Sequence, residues 1–122
     1  MLIYDFSPAA GRAIENFGSR GAKISPVLRD AVPLHVVCMH LEAGGRLGSH
    51  EATVDQLLLV VSGGGVVTGE EAQPTEVGPG CAVFWRGGEV HETCAGEEGM
   101  TAIIVQGEGL DPTKVMKPKG GD

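Results

Sequence analysis

The sequence predicts an all-β fold, built as a small antiparallel barrel or jelly roll. Glycine makes up 20 of the 122 residues, a share of about 16% against a usual value of about 7%, and these glycines follow no collagen-like period. Short apolar runs rich in β-branched residues lie between the glycines, as in turn-rich β domains. No recurring helical segments separate these runs, which argues against a parallel α/β sheet.

The individual strands follow from these apolar runs in chain order. A short helical turn is expected first, with Ser7 as its N-cap and Pro8 as its first residue. Strands are then expected at 23–29, 33–43, 56–62, 66–69, 81–85, 90–94 and 100–106. Loops or turns are expected between them, at 44–49, 62–65, 70–80, 86–89 and 95–99. Pro26 places the strand at 23–29 at an edge of the sheet, because proline donates no ladder hydrogen bond.

The chain length fits a single domain spanning residues 1–122, with a core at about 23–106. Alternation along the run at 56–62 places Gln56, Leu58 and Val60 on one face of a strand, and the intervening residues on the other. The segment 107–122 is polar and punctuated by glycine and proline. We therefore expect it to form an extended or flexible tail.

Charge and cysteine content exclude several classes of function. The net charge is −7 and the nine basic residues are scattered, so no basic surface is predicted for nucleic acid. The three cysteines are odd in number and form no Cys-x-x-Cys pair, so we expect free thiols rather than a disulfide framework. The first residues do not resemble a signal peptide and no apolar run approaches the length of a membrane helix, so a cytoplasmic protein without membrane contact is predicted.

A regular spacing of glycine and histidine begins at Gly44. Five residues separate Gly44 from His50, and Ala52, Gln56 and Gly63 follow at fixed intervals. This pattern resembles the first motif of the cupin superfamily, which runs Gly, five residues, His-x-His, three or four residues, Glu, six residues and Gly. The spacing agrees throughout, whereas two ligand positions differ: Ala52 stands for the second histidine and Gln56 for the glutamate.

A second spacing pattern begins at Gly80. Five residues separate it from Arg86, and Gly88, His91 and Ala95 follow. This pattern resembles the second cupin motif, which runs Gly, five residues, Pro-x-Gly, two residues, His, three residues and Asn. The spacing again agrees, with arginine in place of the proline and alanine in place of the asparagine.

The resemblance covers about residues 34–106 and implies a cupin barrel, the antiparallel jelly roll also called a double-stranded β-helix. The sequence is similar to those of small stand-alone bacterial cupins, a group that implies no single activity. Such proteins commonly pair, so a homodimer is expected, with the edge strand at 23–29 as its surface. Phe84, on the opposite face from the predicted core residue Trp85, is a second candidate for that interface.

The resemblance also implies the site residues, which are His50, Gln56 and His91. Two imidazoles suit a divalent transition metal such as Zn, Ni, Fe or Mn. A neutral amide in place of the carboxylate leaves the ion its full charge, which favours a small anionic ligand. The alternative is a degenerate metal site in a metal-free module that binds a sugar or organic acid through hydrogen bonds. An enzyme and a binding protein both remain open.

Four charged or titratable residues near the motifs have open roles. His40 lies near the first motif, and either the surface or the barrel interior suits it. Glu89 and Glu92 flank His91, where strand alternation favours the rim or solvent over a role as general acid or base. Arg86 replaces the turn proline and is either solvated or a partner for a ligand carboxylate.

Overall fold

Nine strands and three short 3₁₀ helices make up the part of the chain that the computed structural model describes, residues 1–71 and 73–119. The strands are β1 (Leu2–Asp5), β2 (Arg12–Ile14), β3 (Ala22–Ile24), β4 (His35–Leu41), β5 (Arg46–Glu51), β6 (Asp55–Thr68), β7 (Thr75–Val77), β8 (Cys81–Trp85) and β9 (Val90–Gly107). The 3₁₀ helices are Pro8–Ala10, Asn16–Gly18 and Pro112–Lys114. The first of them begins after Ser7, as the sequence predicts. No helix of the described residues is both long and apolar enough to span a membrane.

The two long strands, β6 and β9, organise the barrel because they pair along almost their whole length, from Asp55 opposite Gly107 to Thr68 opposite Glu92. One end of this pair lies in a larger layer with the strand order β1-β8-β6-β9-β4. The other end lies in a smaller layer, where β5 pairs with β9 and β7 pairs with β6. All pairings are antiparallel, so the predicted all-β jelly-roll architecture is confirmed.

The predicted turns at 62–65 and 95–99 are wrong, because β6 and β9 continue without interruption through both glycine-containing segments. The register between the two strands shifts within residues 60–65, where the sheet passes from one layer to the other. Backbone proximity explains the glycines there: a Cβ atom on Gly65 would lie 1.9 Å from the carbonyl oxygen of Cys94. These glycines therefore allow close approach of bent strands instead of reversing the chain.

Two further expectations about the strands are corrected. The predicted loop at 44–49 overlaps β5, which is polar and exposed because it is an outer strand of the smaller layer. The predicted edge strand at 23–29 is reduced to β3, which ends before Pro26 and pairs with β2 in a separate two-stranded sheet.

Two apolar clusters lie on opposite faces of the larger layer. Leu58, Val60, Val83, Trp85 and Ile104 belong to the cluster inside the barrel. A second cluster on the outer face contains Tyr4, Leu57, Ala82, Phe84, Val105, Leu110 and Met116. The predicted alternation along β6 is confirmed, because neighbouring leucines of that strand belong to different clusters.

The segment after Gly107 differs from the expected extended or flexible tail over its described part, residues 108–119. Leu110 and Met116 are buried against the outer face of the larger layer. Phe84 is buried beneath the same cover, so its expected role in a dimer interface is wrong. Together with β1, which pairs with β8, this segment extends the packed structure beyond residues 23–106.

Candidate functional site

The structure brings His50 and His91 together. They are direct cross-strand partners on β5 and β9, immediately after a register shift that begins at Leu47. Their ring centroids lie 4.4 Å apart with an interplanar angle of 52°. This pair joins the two histidines of the separate sequence motifs at one point of the smaller layer.

His91 is the buried member of the pair, with 2% of its surface exposed. Its Nδ1 atom lies 3.1 Å from the carbonyl oxygen of Glu89, and its Nε2 atom has no hydrogen-bond partner among the described residues. Burial lowers the pKa of the imidazole, an effect that the Glu89 carbonyl opposes and the neighbouring His50 reinforces. A neutral ring that donates from Nδ1 to the carbonyl keeps a lone pair on Nε2.

His50 repeats this arrangement at the surface. Its Nδ1 atom lies 2.6 Å from the carbonyl oxygen of Gly48, again the residue two positions earlier. When Nδ1 donates to that carbonyl, Nε2 is left as the free acceptor. Histidines that bind metals characteristically donate their other ring N–H to such a group, which fixes the tautomer. In these tautomers the pair presents two Nε2 lone pairs, one exposed and one buried.

Trp85 packs against His91 from the larger layer. Its ring centroid lies 4.4 Å from that of His91 with an interplanar angle of 31°, and its Nε1–H donates to the carbonyl of Thr68 over 3.0 Å. The indole is fully buried, as predicted for a core residue. It forms an aromatic wall beside the buried imidazole.

Gln56 lies on the inner face of β6, buried except for 6% of its surface. Its cross-strand partners are Trp85 on β8 and Gln106 on β9. Gln56 is thus a neighbour of the residue that contacts His91. The structure brings the two histidines together, and it relates Gln56 to them only through its cross-strand neighbour Trp85.

Thr93 is a buried polar residue that the sequence analysis missed. It lies on β9 two residues after His91, is 1% exposed, and its Oγ1 atom has no hydrogen-bond partner among the described residues. Alternation along a strand places both side chains on the same face. Counting two residues onward from His91 in the sequence would have found it.

Glu89 and Arg86 are placed at the rim. The Glu89 carboxylate accepts hydrogen bonds from the Met1 amino group (2.7 Å), the amide of Arg86 (3.1 Å) and the amide of Glu70 (3.3 Å). Burial raises its pKa, but these hydrogen bonds and the amino charge outweigh burial and hold the pKa below its usual range. The Arg86 guanidinium lies 5.6 Å from the centroid of the Phe84 ring. Both residues line a surface cavity of about 660 Å³ beside the β8–β9 turn.

Glu92 and His40 both lie away from the His pair. The Glu92 carboxylate is 4.0 Å from Arg46 on the outer side of the smaller layer. His40 is exposed on β4, where its Nδ1 atom is 3.4 Å from the Thr101 hydroxyl. His40 therefore takes the surface, one of the two positions left open for it, and the rim or solvent position favoured for Glu92 agrees with its contact.

The donor set of this site meets the requirements of a metal ion only in part. Among residues 1–71 and 73–119, no group of three or more His, Cys, Asp and Glu side chains is arranged to hold one. The fit therefore depends on the two Nε2 lone pairs and on the amide of Gln56. Two imidazoles with fixed tautomers are competent ligands for a transition metal, and the absence of a carboxylate from this set lowers the expected affinity.

Comparisons with known proteins identify the fold. No protein-family model matches the sequence, and no curated protein matches it either. Among solved structures, a cupin superfamily protein from Desulfitobacterium hafniense is similar with a TM-score of 0.56 and 17% identity, over 74% of this chain and 81% of the other. KdgF from a Halomonas species gives a TM-score of 0.56 and 22% identity, over 68% and 76% of the two chains. The DMSP lyase DddQ from Ruegeria pomeroyi gives a TM-score of 0.59 and 17% identity, over 88% and 57%.

The protein therefore has a cupin fold, a double-stranded β-helix, as the motif spacing predicts. Another similar structure, from Klebsiella pneumoniae, is itself described as containing a double-stranded β-helix domain, with a TM-score of 0.55 and 22% identity over 82% and 86% of the two chains.

Proposed function

We propose that this cupin barrel binds a divalent transition metal at the His pair, together with a small anionic ligand. His50 and His91 would supply Nε2 atoms, and Gln56 would supply its amide oxygen. The observation that carries the proposal is the buried Nε2 atom of His91, which has no hydrogen-bond partner among the described residues while Nδ1 is held by a carbonyl. Leaving such an acceptor unsatisfied costs about 1–3 kcal/mol, which a ligand on Nε2 would offset.

The neutral donor set determines which ligand such an ion would prefer. Imidazole donors suit Zn, Ni, Fe or Mn, and a neutral amide leaves the charge of the ion uncompensated. Positions not filled by the protein would be open to water and to an anionic group such as a carboxylate. When bound, an ion of this kind supplies Lewis acidity and a more acidic water. The residues of the chain orient it, and Trp85 excludes solvent from one side of His91.

A second candidate is a metal-free module that binds a sugar or an organic acid. Two observations favour it: no cluster of three metal-ligating His, Cys, Asp or Glu side chains occurs within the described ranges, and an indole wall stands beside a neutral imidazole. Gln56, the His pair and Thr93 would then act as neutral hydrogen-bonding groups around an apolar surface.

Metal analysis of protein purified without a histidine tag separates the two candidates. The metal proposal predicts uptake approaching one ion per chain after incubation with Zn, Ni, Fe or Mn followed by desalting. His50→Ala should abolish that uptake, because it removes one of the two imidazole ligands. The variant should still fold, because His50 is exposed and its loss leaves the core intact. His40→Ala, which removes another exposed histidine outside the pair, is the matched control and should retain the uptake.

Three results would count against the metal proposal. Negligible metal in the wild-type protein with all four ions would show that the pair does not hold one. Equal loss of uptake in the His40→Ala variant would show non-specific binding. Persistent uptake in His50→Ala would show that the proposed ligand set is wrong.

A further inference from the structure

The backbone carbonyl of Glu89 is shared between the two chain segments that carry the His pair. It lies 3.1 Å from Nδ1 of the His91 ring, and it also accepts a hydrogen bond from the backbone amide of Ala52 over 3.0 Å. Ala52 follows His50 by two residues, immediately after β5. One acceptor therefore contacts both the buried imidazole and the segment that carries the exposed imidazole.

The contact between Glu89 and Ala52 is one of two reciprocal backbone bonds. The amide of Gly88 donates back to the carbonyl of Ala52 over 2.7 Å, so the pairing of β5 with β9 continues beyond the His pair. Ala52 is buried, and water therefore has little access to these bonds. The alanine side chain offers no ligand atom, but the backbone of this residue holds the carbonyl that the His91 ring contacts.

The Glu89 carboxylate holds the same residue through its side chain, which is 11% exposed. It accepts hydrogen bonds from the amides of Arg86 and Glu70 and from the Met1 amino group, so three segments of the chain meet at it. Hydrogen bonds to an ionised acceptor are stronger than neutral ones, and the bond from Arg86 lies within the β8–β9 turn. The backbone of Glu89 is therefore fixed from two sides, and its carbonyl has little freedom to turn away from the His91 ring.

We propose that Glu89 is a positioning residue for His91: its carboxylate holds the turn so that its carbonyl keeps the ring proton on Nδ1 and leaves the Nε2 lone pair for a metal. Partners of this kind fix the tautomer of a metal-binding histidine, and their loss typically weakens metal binding about 10- to 100-fold. Both carboxylate oxygens already accept N–H groups, so Glu89 acts through His91 and not as a general acid or base. The effect on metal binding rests on the proposed function, whereas the effect on the tautomer concerns the chain alone.

Nitrogen NMR of the metal-free protein measures the His91 tautomer, at about pH 8, where an imidazole with the ordinary pKa of about 6.5 is neutral. The wild-type ring should carry its proton on Nδ1. In Glu89→Ala the turn loses all bonds to the carboxylate, so part of the population should move the proton to Nε2. Glu70→Gln is the matched control and should keep the wild-type tautomer, because it neutralises an exposed carboxylate beside the same cavity and retains the amide that donates to Glu89.

The dissociation constant for zinc is the second measurement. Glu89→Ala should raise it about tenfold or more. Glu89→Gln keeps one oxygen that can accept the Arg86 amide, so it should recover part of this loss and part of the wild-type tautomer. Urea unfolding shows whether each variant is folded, and if Glu89→Ala is not, Glu89→Gln takes its place in both measurements with smaller changes expected.

A wild-type His91 ring with its proton on Nε2 would overturn the proposal, and so would a folded Glu89 variant with the wild-type tautomer. Lower folding stability in that variant, with the tautomer and the zinc affinity both unchanged, would show a merely structural role and would equally reject it. If the wild-type protein binds no zinc, the proposed metal function fails, and the tautomer measurement still decides whether Glu89 positions the His91 ring.

Discussion

Asp55 should stabilise the fold far more than an average surface carboxylate. It stands at the start of β6, next to Gln56, and its carboxylate accepts three backbone hydrogen bonds. The donors are the amides of Gly87 at 2.9 Å, Gly109 at 3.0 Å and Leu110 at 3.1 Å. One side chain thus holds the β8–β9 turn that precedes His91 and the segment that covers the outer face.

The expected magnitude follows from the number of these bonds. A hydrogen bond to a charged group contributes about 1.5–3 kcal/mol, and we take the low end because two of the donors are exposed glycines that water can reach. Asp55→Asn keeps one acceptor oxygen and should lower the free energy of unfolding by about 1.5 kcal/mol. Asp55→Ala loses all three bonds and at this low end should lower the free energy of unfolding by about 4.5 kcal/mol.

Urea unfolding followed by tryptophan fluorescence measures this directly, because Trp85 is the single tryptophan and is fully buried. Glu97→Gln neutralises an exposed carboxylate of β9 and serves as the control, with an expected change within about 0.5 kcal/mol. If Asp55→Ala differed from the wild type by no more than this control, the assignment of a stabilising clamp to Asp55 would be refuted.

Three further predictions concern the site and the strand bends. Thr93→Val replaces a buried hydroxyl without a described partner by an isosteric methyl group. In the absence of ligand, the variant should be as stable as the wild type or have an unfolding free energy higher by about 1 kcal/mol. A loss of more than about 1 kcal/mol in urea unfolding would show that the hydroxyl is hydrogen-bonded. Burial holds the pKa of His91 below its unfolded value of about 6.5, so the folded state binds this proton less readily than the unfolded chain does. The contribution of the neutral imidazole to stability is therefore fully present above that pH and declines as the pH falls below it. With a chelator present, the melting temperature of the wild type should therefore fall more between neutral pH and about pH 5.5 than that of His91→Gln, and parallel curves would contradict the assignment. Gly65→Ala should lower the unfolding free energy by about 3 kcal/mol or more, because its Cβ atom would meet the Cys94 carbonyl. Gly48→Ala is the control and should change the unfolding free energy little, because nothing lies within 4 Å of its Cβ position. Equal effects in the two variants would refute the packing argument.

Local patterns in the sequence were sufficient for the fold class and for part of the site. The spacing of Gly44, His50 and Gly63 resembles the first cupin motif, and this resemblance predicted the fold that the similar structures share. Period-two alternation assigned Gln56 and Leu58 to the inner face of β6, because side chains alternate along any strand.

Other features depend on contacts between residues distant in the chain. The glycines at 62–65 have the composition of a turn, and only the position of the Cys94 carbonyl shows that they lie within a continuous strand. The polar composition of β5 resembles a loop, because its hydrogen-bond partner on β9 lies more than forty residues later, as His50 opposite His91 shows.

The sequence by itself determined that the chain forms an all-β barrel in which each of two motif-like segments carries one histidine, because glycine spacing and side-chain alternation are local properties. Tertiary structure decided what surrounds these residues. It placed Trp85 against His91, buried Thr93 without a described partner and left β4 at an edge of the larger layer. These outcomes depend on which strands meet across the barrel and which surface the last segment covers, and neither can be derived from residues that are neighbours in the chain.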